Sequence, residues 1–592
     1  MNDSRNQAAR APVGSWASCI MLGGVLAAIW LAPMFSARWW STTGWKPNEK
    51  LSYFVDAYSN LMAPEHVVGS GMSGWRFGIT VIAVFVTVAA VGTFAASVLR
   101  RRGGARSRGL AHGAELAPFS ARAMIKRSKV ILGEHDRNPA HSGVRLGKEK
   151  YSKKDVWIPK ESTLLVIAPP RSGKTSGTVA PAVVAHDGPV VATGVRDDIM
   201  MWTHPWRRHM NGPMWLCEPM REPSRELPDG VNAVRWSPLA GCSDMVQARL
   251  RAEALFAAVA EGGANDTFWR NNGQALLSAY LLAAALQDGV MSDVVRWADR
   301  DTDASPVEAI RAVADTLEAG LDQAALLSAA AQLEAAIAQD PRYKAGVTGQ
   351  VLQALEPFRL PRIQEMCNVR ICESFNPAEF VTTAGTIWML GSDSQQRQSA
   401  GVCTALTSAI AEAARDEARR SPNGRLRPPL LLALDEAVNV APIPRLDQLL
   451  STGGGSGLQT IVVLQSMAAA RNAWGKEMGD ALLDFNNAKL VLGGLSDAQD
   501  LQDLSALLGQ REEVTTQVSR NGRSGFLEAG DHSYSWRQVP VMRPDEIRAL
   551  RSEERGEALL IARSARGIML RQPRIFTMKP PPANASSGRG RS

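Results

Sequence analysis

The chain has 592 residues, too many for one ordinary hydrophobic core, and this length predicts two or three domains. The composition, with 45% hydrophobic and 21% charged residues, is typical of a globular protein and argues against a mainly disordered chain. Six cysteines in so long a chain exclude a disulfide framework, and no grouping of His and Cys has the spacing of a zinc site.

Positive charge is concentrated in residues 100–154, which contain 15 Lys and Arg against 4 Asp and Glu. This local excess is larger than the net charge of +8 for the whole chain, so the remainder is slightly acidic. A basic segment of this kind suits anionic phospholipid headgroups, nucleic acid or both. Positive charge beside a membrane span also occurs for topological reasons alone, and that alternative stays open.

Two uncharged runs near the N-terminus, residues 14–35 and 77–99, have the length of membrane spans. A helix of about 22 residues reaches about 33 Å and crosses a hydrocarbon core of about 30 Å. The first run alone is compatible with a cleaved signal peptide, and the second with a buried helix, but two long runs in succession favour two transmembrane helices.

Flanking charges predict that both ends of the chain lie in the cytoplasm. Arg5 and Arg10 precede the first run, and five arginines from Arg100 to Arg108 follow the second. The segment between the runs has nearly balanced charge and is expected on the other side of the membrane. The large remainder, from about Gly109, is then cytoplasmic.

The strongest motif covers residues 162–175, where an apolar run precedes a tight loop that ends in Gly-Lys-Thr. The run Leu164–Ile167 predicts a buried parallel strand, and backbone N–H groups of the following loop are suited to cradle phosphate groups. Lys174 is predicted to reach the β- and γ-phosphates, and the Thr175 hydroxyl to bind Mg²⁺. Ala168 replaces the usual first glycine and can close the turn if its φ is negative. The predicted nucleotide-binding residues are Ala168, Pro169, Pro170, Arg171, Ser172, Gly173, Lys174, Thr175 and Ser176.

A second motif supplies the carboxylates that a nucleotide site requires. The apolar run Leu430–Leu434 is followed by Asp435 and Glu436, and open α/β sheets bind ligands at the carboxyl ends of their strands. Asp435 is placed to hold Mg²⁺ through water, and Glu436 to orient or deprotonate the attacking water. A third apolar run ends at Gln465, which either senses the γ-phosphate or merely ends a strand.

These motifs and their order resemble the TraG/TraD-type coupling proteins of type IV secretion and bacterial conjugation. The resemblance covers most of the chain from about Glu161 to Phe576 and the two N-terminal runs. It is carried by residues 168–175, 430–436, 462–466 with 474–475, 486–497, 504–509 and 543–547.

The resemblance implies a hexameric, RecA-like P-loop ATPase at the bacterial inner membrane, with ATP and Mg²⁺ as cofactors. It implies DNA as the transported partner, single-stranded and attached to a relaxase-like protein, and contacts with subunits of the secretion channel. Gln465, Lys174 and Glu436 become the expected catalytic residues. Two departures affect the site: residues 191–198 replace the family's Asp-Pro-Lys-Gly-Glu segment, and the Gly-rich loop 451–457 lacks the usual arginine. No arginine finger can therefore be assigned.

The predicted fold class is α/β, a doubly wound parallel sheet interrupted by an all-α insertion. Helix formers dominate residues 243–376, although helices that only cover the sheet are the alternative. The predicted division is a membrane anchor at 1–105, a basic linker at 106–150, an ATPase domain at 151–242 and 377–578, the insertion at 243–376, and a disordered basic tail at 579–592. Strands are expected at 164–167, 190–193, 214–217, 386–390, 430–434, 460–464, 489–492 and 558–562.

Two alternatives to a DNA-transporting ATPase stay open. An FtsK-type DNA pump shares the RecA-like core, but it usually has more spans and a C-terminal winged-helix module. A membrane receptor would dock substrates and use nucleotide only to assemble. Ala168 and the loop without arginine are the features that favour the receptor.

Overall fold

The computed structural model describes residues 109–578, apart from 211, 223, 260–263, 392–395, 422, 520–530 and 564, together with scattered positions between 73 and 91. Contacts divide the chain into two units, Met1–Ser107 and Arg108–Ser592, which are described separately. The predicted first span, 14–35, and the predicted tail, 579–592, lie outside the described residues.

In the first unit, the described positions 75–76, 78–84, 86–88 and 90–91 are helical. The hydroxyls of Thr80 and Thr87 donate to the carbonyl oxygens of Arg76 and Ala83, at 2.9 and 2.8 Å, as threonines inside helices do. Within the described part of the chain, no helix combines the length and apolarity needed to cross a membrane. Residues 77, 85, 89 and 92–99 of the predicted second span are outside that part.

The second unit is built on a large mixed sheet, in which twelve of the described strands lie in the order β2-β1-β14-β13-β10-β3-β9-β8-β4-β7-β5-β6. From β10 to β6, every neighbouring pair is parallel. The strand bounds are β1 Gly143–Glu149, β2 Asp155–Pro159, β3 Leu164–Ile167, β4 Val190–Gly194, β5 Met214–Cys217, β6 Val231–Ala233, β7 Thr386–Leu390, β8 Leu430–Leu434, β9 Leu458–Leu464, β10 Ala488–Leu492, β11 Gln510–Ser519, β12 Asp531–Pro540, β13 Glu557–Ala562 and β14 Ile568–Arg571.

The central strands form because their sequences are continuous apolar runs. Every residue of β3, β8 and β9 is buried, as expected for parallel strands with helices on both faces of the sheet. The main α-helices are α1 Ala121–Ile131, α2 Pro139–Ser142, α3 Ala180–Ala185, α4 Asp198–Arg207, α5 Met245–Phe256, α6 Ala264–Leu286, α7 Met291–Asp299, α8 Ser305–Ala314, α9 Leu321–Ile337, α10 Pro341–Leu355, α11 Pro361–Cys367, α12 Pro377–Phe380, α13 Gln396–Arg420, α14 Ala437–Val440, α15 Leu446–Thr452, α16 Met467–Trp474, α17 Lys476–Phe485, α18 Ala498–Leu508, α19 Pro544–Arg548 and α20 Ser552–Arg555.

The sheet differs from the predicted all-parallel arrangement at one end. The predicted strand 558–562 corresponds to β13, which pairs antiparallel with β10. Strands β14, β1 and β2 extend this end, also antiparallel. Strands β14, β1 and β2 are absent from the sequence-based expectation because β1 and β2 carry charged residues and the apolar run of β14 has only three residues before Arg571.

Residues 113–149 belong to the folded unit and are not a linker. They form a 3-10 helix, Gly113–Phe119, followed by α1, α2 and β1. Phe119, Met124 and Ile131 are buried against the rest of the unit. The many Lys and Arg residues of this segment hide that apolar pattern in the sequence, because they occupy the solvent-facing positions of the same elements.

The described residues between 243 and 376 contain helices and no strand. Helix α5 begins after Asp244, whose carboxylate accepts hydrogen bonds from the backbone N–H groups of Val246 and Gln247. The helical insertion is tied to the sheet-containing core by a bidentate ion pair, in which Arg445 donates twice to Glu253 at 2.8 Å. Strands β11 and β12 form a separate two-stranded hairpin.

Candidate nucleotide site

Three chain segments meet at the carboxyl edge of the central strands. Strand β9 lies between β3 and β8, with Ile167 opposite Leu464 and Leu434 opposite Val462. Because all three strands are parallel, the segments that follow them leave the sheet at the same edge. These segments are the predicted phosphate loop, Gln465, and the Asp435-Glu436 pair.

The phosphate loop is closed without a glycine at its first position. The backbone N–H of Ala168 donates to the carbonyl of Leu464 at 2.9 Å and thereby extends the β3–β9 pairing. Positive φ angles in this loop occur at Arg171, 60°, and Gly173, 81°, and Ala168 is not among the residues with positive φ. The alanine therefore fits the turn, as the sequence analysis requires. Ser172 braces the turn by donating from its hydroxyl to the carbonyl of Pro169 at 2.8 Å.

Lys174 brings the two halves of the site together. Its ammonium lies 3.1 Å from a carboxylate oxygen of Glu436 and 4.0 Å from one of Asp435. The lysine side chain is only 9% exposed, and these two carboxylates supply the negative charge beside it. The geometry therefore joins the two motifs that the sequence places 260 residues apart.

Asp435 is held by two threonines. The Thr175 hydroxyl donates to its carboxylate, and the Thr193 hydroxyl of β4 donates to its backbone carbonyl at 2.7 Å. Burial raises the pKa of Asp435 to about 6, although Lys174 and Thr175 act in the opposite direction. Its second carboxylate oxygen is buried without a hydrogen-bond partner among the described residues.

Glu436 adopts a strained backbone. Its φ of 55° and ψ of 49° are left-handed, a region that residues other than glycine rarely occupy. This conformation ends β8 abruptly and aims the side chain back toward Lys174. Strain of this kind recurs where a site must present a side chain in a fixed direction.

Gln465 follows β9 directly, between the phosphate loop and the Asp435-Glu436 pair. Its side chain makes no hydrogen bond within the described residues. The next residue, Ser466, caps α16 by accepting from the backbone N–H of Ala469. The strand order thus places Gln465 beside the expected site of chemistry, while its role as a γ-phosphate sensor stays a prediction.

Two residues missed in the sequence analysis also contact the phosphate loop and its helix. Arg574 donates to the carbonyl of Gly173 at 2.6 Å and to the Ser176 hydroxyl at 3.2 Å. Gln572 donates to the Thr178 hydroxyl at 2.7 Å. Both follow β14, and no local motif marks them, because the contacts join positions about 400 residues apart.

The structure shows the surroundings of the two segments that depart from the family pattern, residues 191–198 and the Gly-rich loop 451–457. Arg196 and Asp198 form an exposed ion pair at 3.8 Å. In the Gly-rich loop, a Cβ on Gly454 would lie 2.1 Å from the carbonyl oxygen of Glu161. This close backbone approach requires glycine at that position.

Comparison with known proteins defines the family. The sequence model described as "Type IV secretory system Conjugative DNA transfer" matches residues 113–588. The chain belongs to this family. The predicted resemblance to TraG/TraD-type coupling proteins is thereby confirmed.

Solved structures of conjugative coupling proteins share the fold. The unbound monoclinic form of TrwBdeltaN70 has 15% sequence identity and a TM-score of 0.51, covering 71% of this chain and 86% of that chain. The trigonal form in complex with sulphate has 15% identity and a TM-score of 0.50, covering 70% and 86%. TrwB in complex with ADP and Mg²⁺ has 16% identity and a TM-score of 0.49, covering 71% and 87%. No curated protein sequence matches this one.

These comparisons confirm the α/β fold with a large parallel sheet that the resemblance to coupling proteins implies. They do not change the site residues, which follow from the contacts around Lys174, Asp435 and Glu436 in this member of the conjugative DNA transfer family.

Proposed function

We propose that this conjugative DNA transfer protein is a membrane-anchored ATPase that moves DNA, single-stranded and attached to a relaxase-like protein, into a type IV secretion channel. The observation that carries the proposal is the convergence of Lys174 and Thr175 on Asp435 and Glu436. A phosphate-binding lysine and two carboxylates at one sheet edge are the parts that a P-loop hydrolase requires.

The residues present fit ATP and Mg²⁺. One carboxylate oxygen of Asp435 has no hydrogen-bond partner among the described residues, and the Thr175 hydroxyl is adjacent. Both are oxygen ligands of the type that Mg²⁺ prefers. Thr175 and Asp435 are therefore the proposed Mg²⁺-binding residues, and the bound ion would neutralise charge on the phosphates. The loop Ala168–Ser176 offers backbone N–H groups to those phosphates at the start of a helix.

The chain's own residues supply the remaining steps. Lys174 exchanges its carboxylate partners for the β- and γ-phosphates, so that its buried positive charge is paired with the nucleotide. Glu436 is then free of the lysine and able to accept a proton from water. Gln465, at the end of the strand between them, orients that water or contacts the γ-phosphate.

The proposed location is the bacterial inner membrane, with two spans and both termini in the cytoplasm. In the described part of the second span, large apolar side chains are exposed, including Ile79, 53%, Ile82, 64%, and Val86, 62%. Such a surface favours lipid over water. The five arginines from Arg100 to Arg108 follow the second span directly, and this positive charge favours a cytoplasmic position for the chain after that span. By family resemblance, the assembled form is proposed to be a homohexamer that contacts channel subunits.

The experiment that tests the function measures ATP hydrolysis by the full-length protein in lipid, with and without single-stranded DNA. Lys174→Ala and Glu436→Gln are compared with Lys476→Ala and Glu477→Gln, matched changes at exposed positions of α17. Hydrolysis that rises with DNA, and disappears only in the first two variants, supports the ATPase. Nucleotide binding without hydrolysis under any condition would instead favour the receptor, which the loop without arginine also favours.

A further inference from the structure

The phosphate loop is bonded to a residue that the proposed mechanism does not use. We propose that Arg574 is a positioning residue that fixes the backbone of the phosphate loop and thereby sets the affinity for nucleotide. This inference rests on the proposed nucleotide site and adds a residue to it from the far end of the chain.

The guanidinium of Arg574 bridges two segments. One nitrogen donates to the Gly173 carbonyl at 2.6 Å and to the Ser176 hydroxyl at 3.2 Å. The other donates to the carbonyls of Ser552 and, at 3.1 Å, Glu553, at the start of α20. The planar fork of an arginine is suited to hold two groups in a fixed relation. The loop is therefore attached to the β13 end of the sheet through one side chain.

Gly173 allows this attachment. Its φ is 81°, and a Cβ at this position would lie 1.7 Å from a guanidinium nitrogen of Arg574. A side chain here would displace the arginine and also strain the backbone. The glycine next to the catalytic lysine thus serves the contact with Arg574 as well as the turn.

The helix that follows the loop needs support from outside. Its first turn, Thr175–Val179, is a π-helix, a wide turn that is rare and less favourable than an α-helical turn. Arg574 donates to the Gly173 carbonyl just before this turn and to the Ser176 hydroxyl within it, and Gln572 donates to the Thr178 hydroxyl, also within it. Two side chains of one segment therefore stabilise the conformation in which the loop presents its N–H groups.

The segment that carries Arg574 is itself firmly placed. Gln572 is 7% exposed and Ile575 is 4% exposed, so the residues on both sides of the arginine are packed into the fold. In addition, Phe576 makes an edge contact with Trp202 of α4, with ring centroids 4.9 Å apart. The arginine is consequently held in position by contacts within the protein itself, as a positioning residue must be.

The charge of Arg574 also favours an anion in the loop. Among the described residues, no carboxylate lies within 4 Å of its guanidinium, and its hydrogen-bond partners are carbonyl and hydroxyl oxygens. A half-buried cation that no carboxylate contacts adds positive potential to the adjacent phosphate site, although the nearby charge of Glu553 offsets part of it. Removing it should weaken nucleotide binding more than it slows the chemical step, because it acts on the loop and does not touch the carboxylates.

The test compares Arg574→Ala, Arg574→Gln and Arg574→Lys in the full-length protein. Arg571→Ala, an exposed arginine at the end of β14, is the matched control. The readouts are the Kd of a fluorescent ADP analogue, KM and kcat for ATP, and thermal unfolding with and without ADP. We expect Arg574→Ala and Arg574→Gln to raise Kd and KM about tenfold or more, as losing a charged hydrogen bond does, while kcat changes less. Arg574→Lys should lie between them and the wild type.

A wild-type Kd in Arg574→Ala would overturn the proposal, and so would a fall in ligand-free thermal stability with Kd unchanged, since that marks a purely structural contact. If the alanine variant does not fold, the lysine and glutamine variants decide by the same criterion. Failure of the wild-type protein to bind ADP would contradict the proposed nucleotide site itself. Equal ADP binding by the wild type and the Arg574 variants, in contrast, would contradict only the role proposed for Arg574.

Discussion

The ammonium of Lys174 lies 3.1 Å from the carboxylate of Glu436, although 262 residues separate them in the chain. Each side chain is also expected to act on the nucleotide reaction, because Lys174 is predicted to bind phosphates and Glu436 to orient or deprotonate water. Their opposite charges are paired, so phosphates that bind Lys174 have to replace Glu436 as its partner. A change that removes the charge of Glu436 should therefore alter nucleotide binding as well as hydrolysis.

Glu436→Gln should bind ATP at least as tightly as the wild type and fail to hydrolyse it. The amide is close in size to the carboxylate but carries no charge, so Lys174 is released to the phosphates at a lower cost. Loss of a general base typically reduces the rate by about 10²- to 10⁴-fold. The Kd of a slowly hydrolysed ATP analogue and single-turnover hydrolysis measure the two effects separately. A Kd raised as strongly as in Lys174→Ala would contradict the competition.

Gln465→Ala should lower kcat and leave the Kd for ADP unchanged. Its position after β9, between the loop and the carboxylates, gives it access to the γ-phosphate region, and its side chain makes no hydrogen bond to the other described residues. A Gln465→Glu variant adds a like charge near Glu436 and should be at least as slow. Steady-state kinetics with both variants test this. An unchanged kcat in Gln465→Ala would contradict a catalytic role and leave this residue only the structural role of ending β9.

The core of the site could be predicted because its parts are local patterns. The runs Leu164–Ile167 and Leu430–Leu434 are continuous and apolar, and the observed strands have the same bounds. The residues that carry chemistry follow these strands directly, so the general rule for parallel sheets places them together. The placement of the phosphate loop, the two carboxylates and Gln465 at one sheet edge therefore followed from the sequence, while their roles stay predictions.

The remainder could not be predicted because it depends on distant pairings. Strands β1 and β14 pair antiparallel across more than 400 residues, with Lys148 opposite Arg571, and neither has the long apolar run of the central strands. The contact between Arg574 and Gly173 has the same origin, since an arginine after a short strand resembles any surface arginine in sequence. Local patterns contain no information about such pairings, which tertiary packing determines.

Ala168→Gly should leave ATP hydrolysis nearly unchanged and slightly destabilise the protein. Since Ala168 does not have positive φ, glycine offers no needed conformation, and it adds flexibility to the unfolded chain. We expect a loss of about 0.5–1 kcal/mol in unfolding free energy. Thermal unfolding and ATPase assays of the two proteins check this. A large gain in activity would show that the alanine limits the site.

Arg207→Ala should strongly destabilise the fold without altering the nucleotide site. The buried guanidinium donates to the Thr386 hydroxyl at 2.6 Å, to the carbonyls of Gly188 and Ala384 at 2.9 Å each, and to further carbonyls of His186 and Gly385. These acceptors lie at the amino ends of β4 and β7, at the edge of the sheet opposite the site. Leaving them unpaired should cost about 3 kcal/mol or more. Burial lowers the pKa of Arg207 to about 10, so it remains charged at neutral pH.

Arg208→Ala is the matched control for this prediction. Arg208 is adjacent, 51% exposed, and paired with Asp229 at 2.8 Å. An exposed ion pair contributes about 1 kcal/mol or less, so its loss should be small. Denaturant unfolding of both variants, with ADP binding measured in parallel, distinguishes them. Equal stability of the two would contradict the assigned role of the buried network.

His186 should make the protein less stable below about pH 6.5. Its ring is buried, donates to the Pro429 carbonyl at 2.7 Å, and has its other nitrogen without a hydrogen-bond partner in the described part of the chain. Burial, and then the nearby cations Lys160 and Arg207, hold the pKa of His186 well below its usual value of 6.5. In the unfolded chain the ring binds a proton below about pH 6.5, while in the folded chain it stays neutral. Stability is therefore complete above that pH and is lost as the pH falls.

The size of the effect can be measured by comparing the wild type with His186→Gln at pH 7.5 and 5.5, beside the exposed control His135→Gln. The glutamine keeps a donor toward Pro429 but does not titrate. Between these pH values the wild type should lose about 1.4 kcal/mol more unfolding free energy than His186→Gln, one pKa unit of linkage. The control should follow the wild type, because its change leaves the buried ring in place. If His186→Gln and the wild type lose the same amount, the buried ring does not stay neutral, and the acid sensitivity comes from other groups.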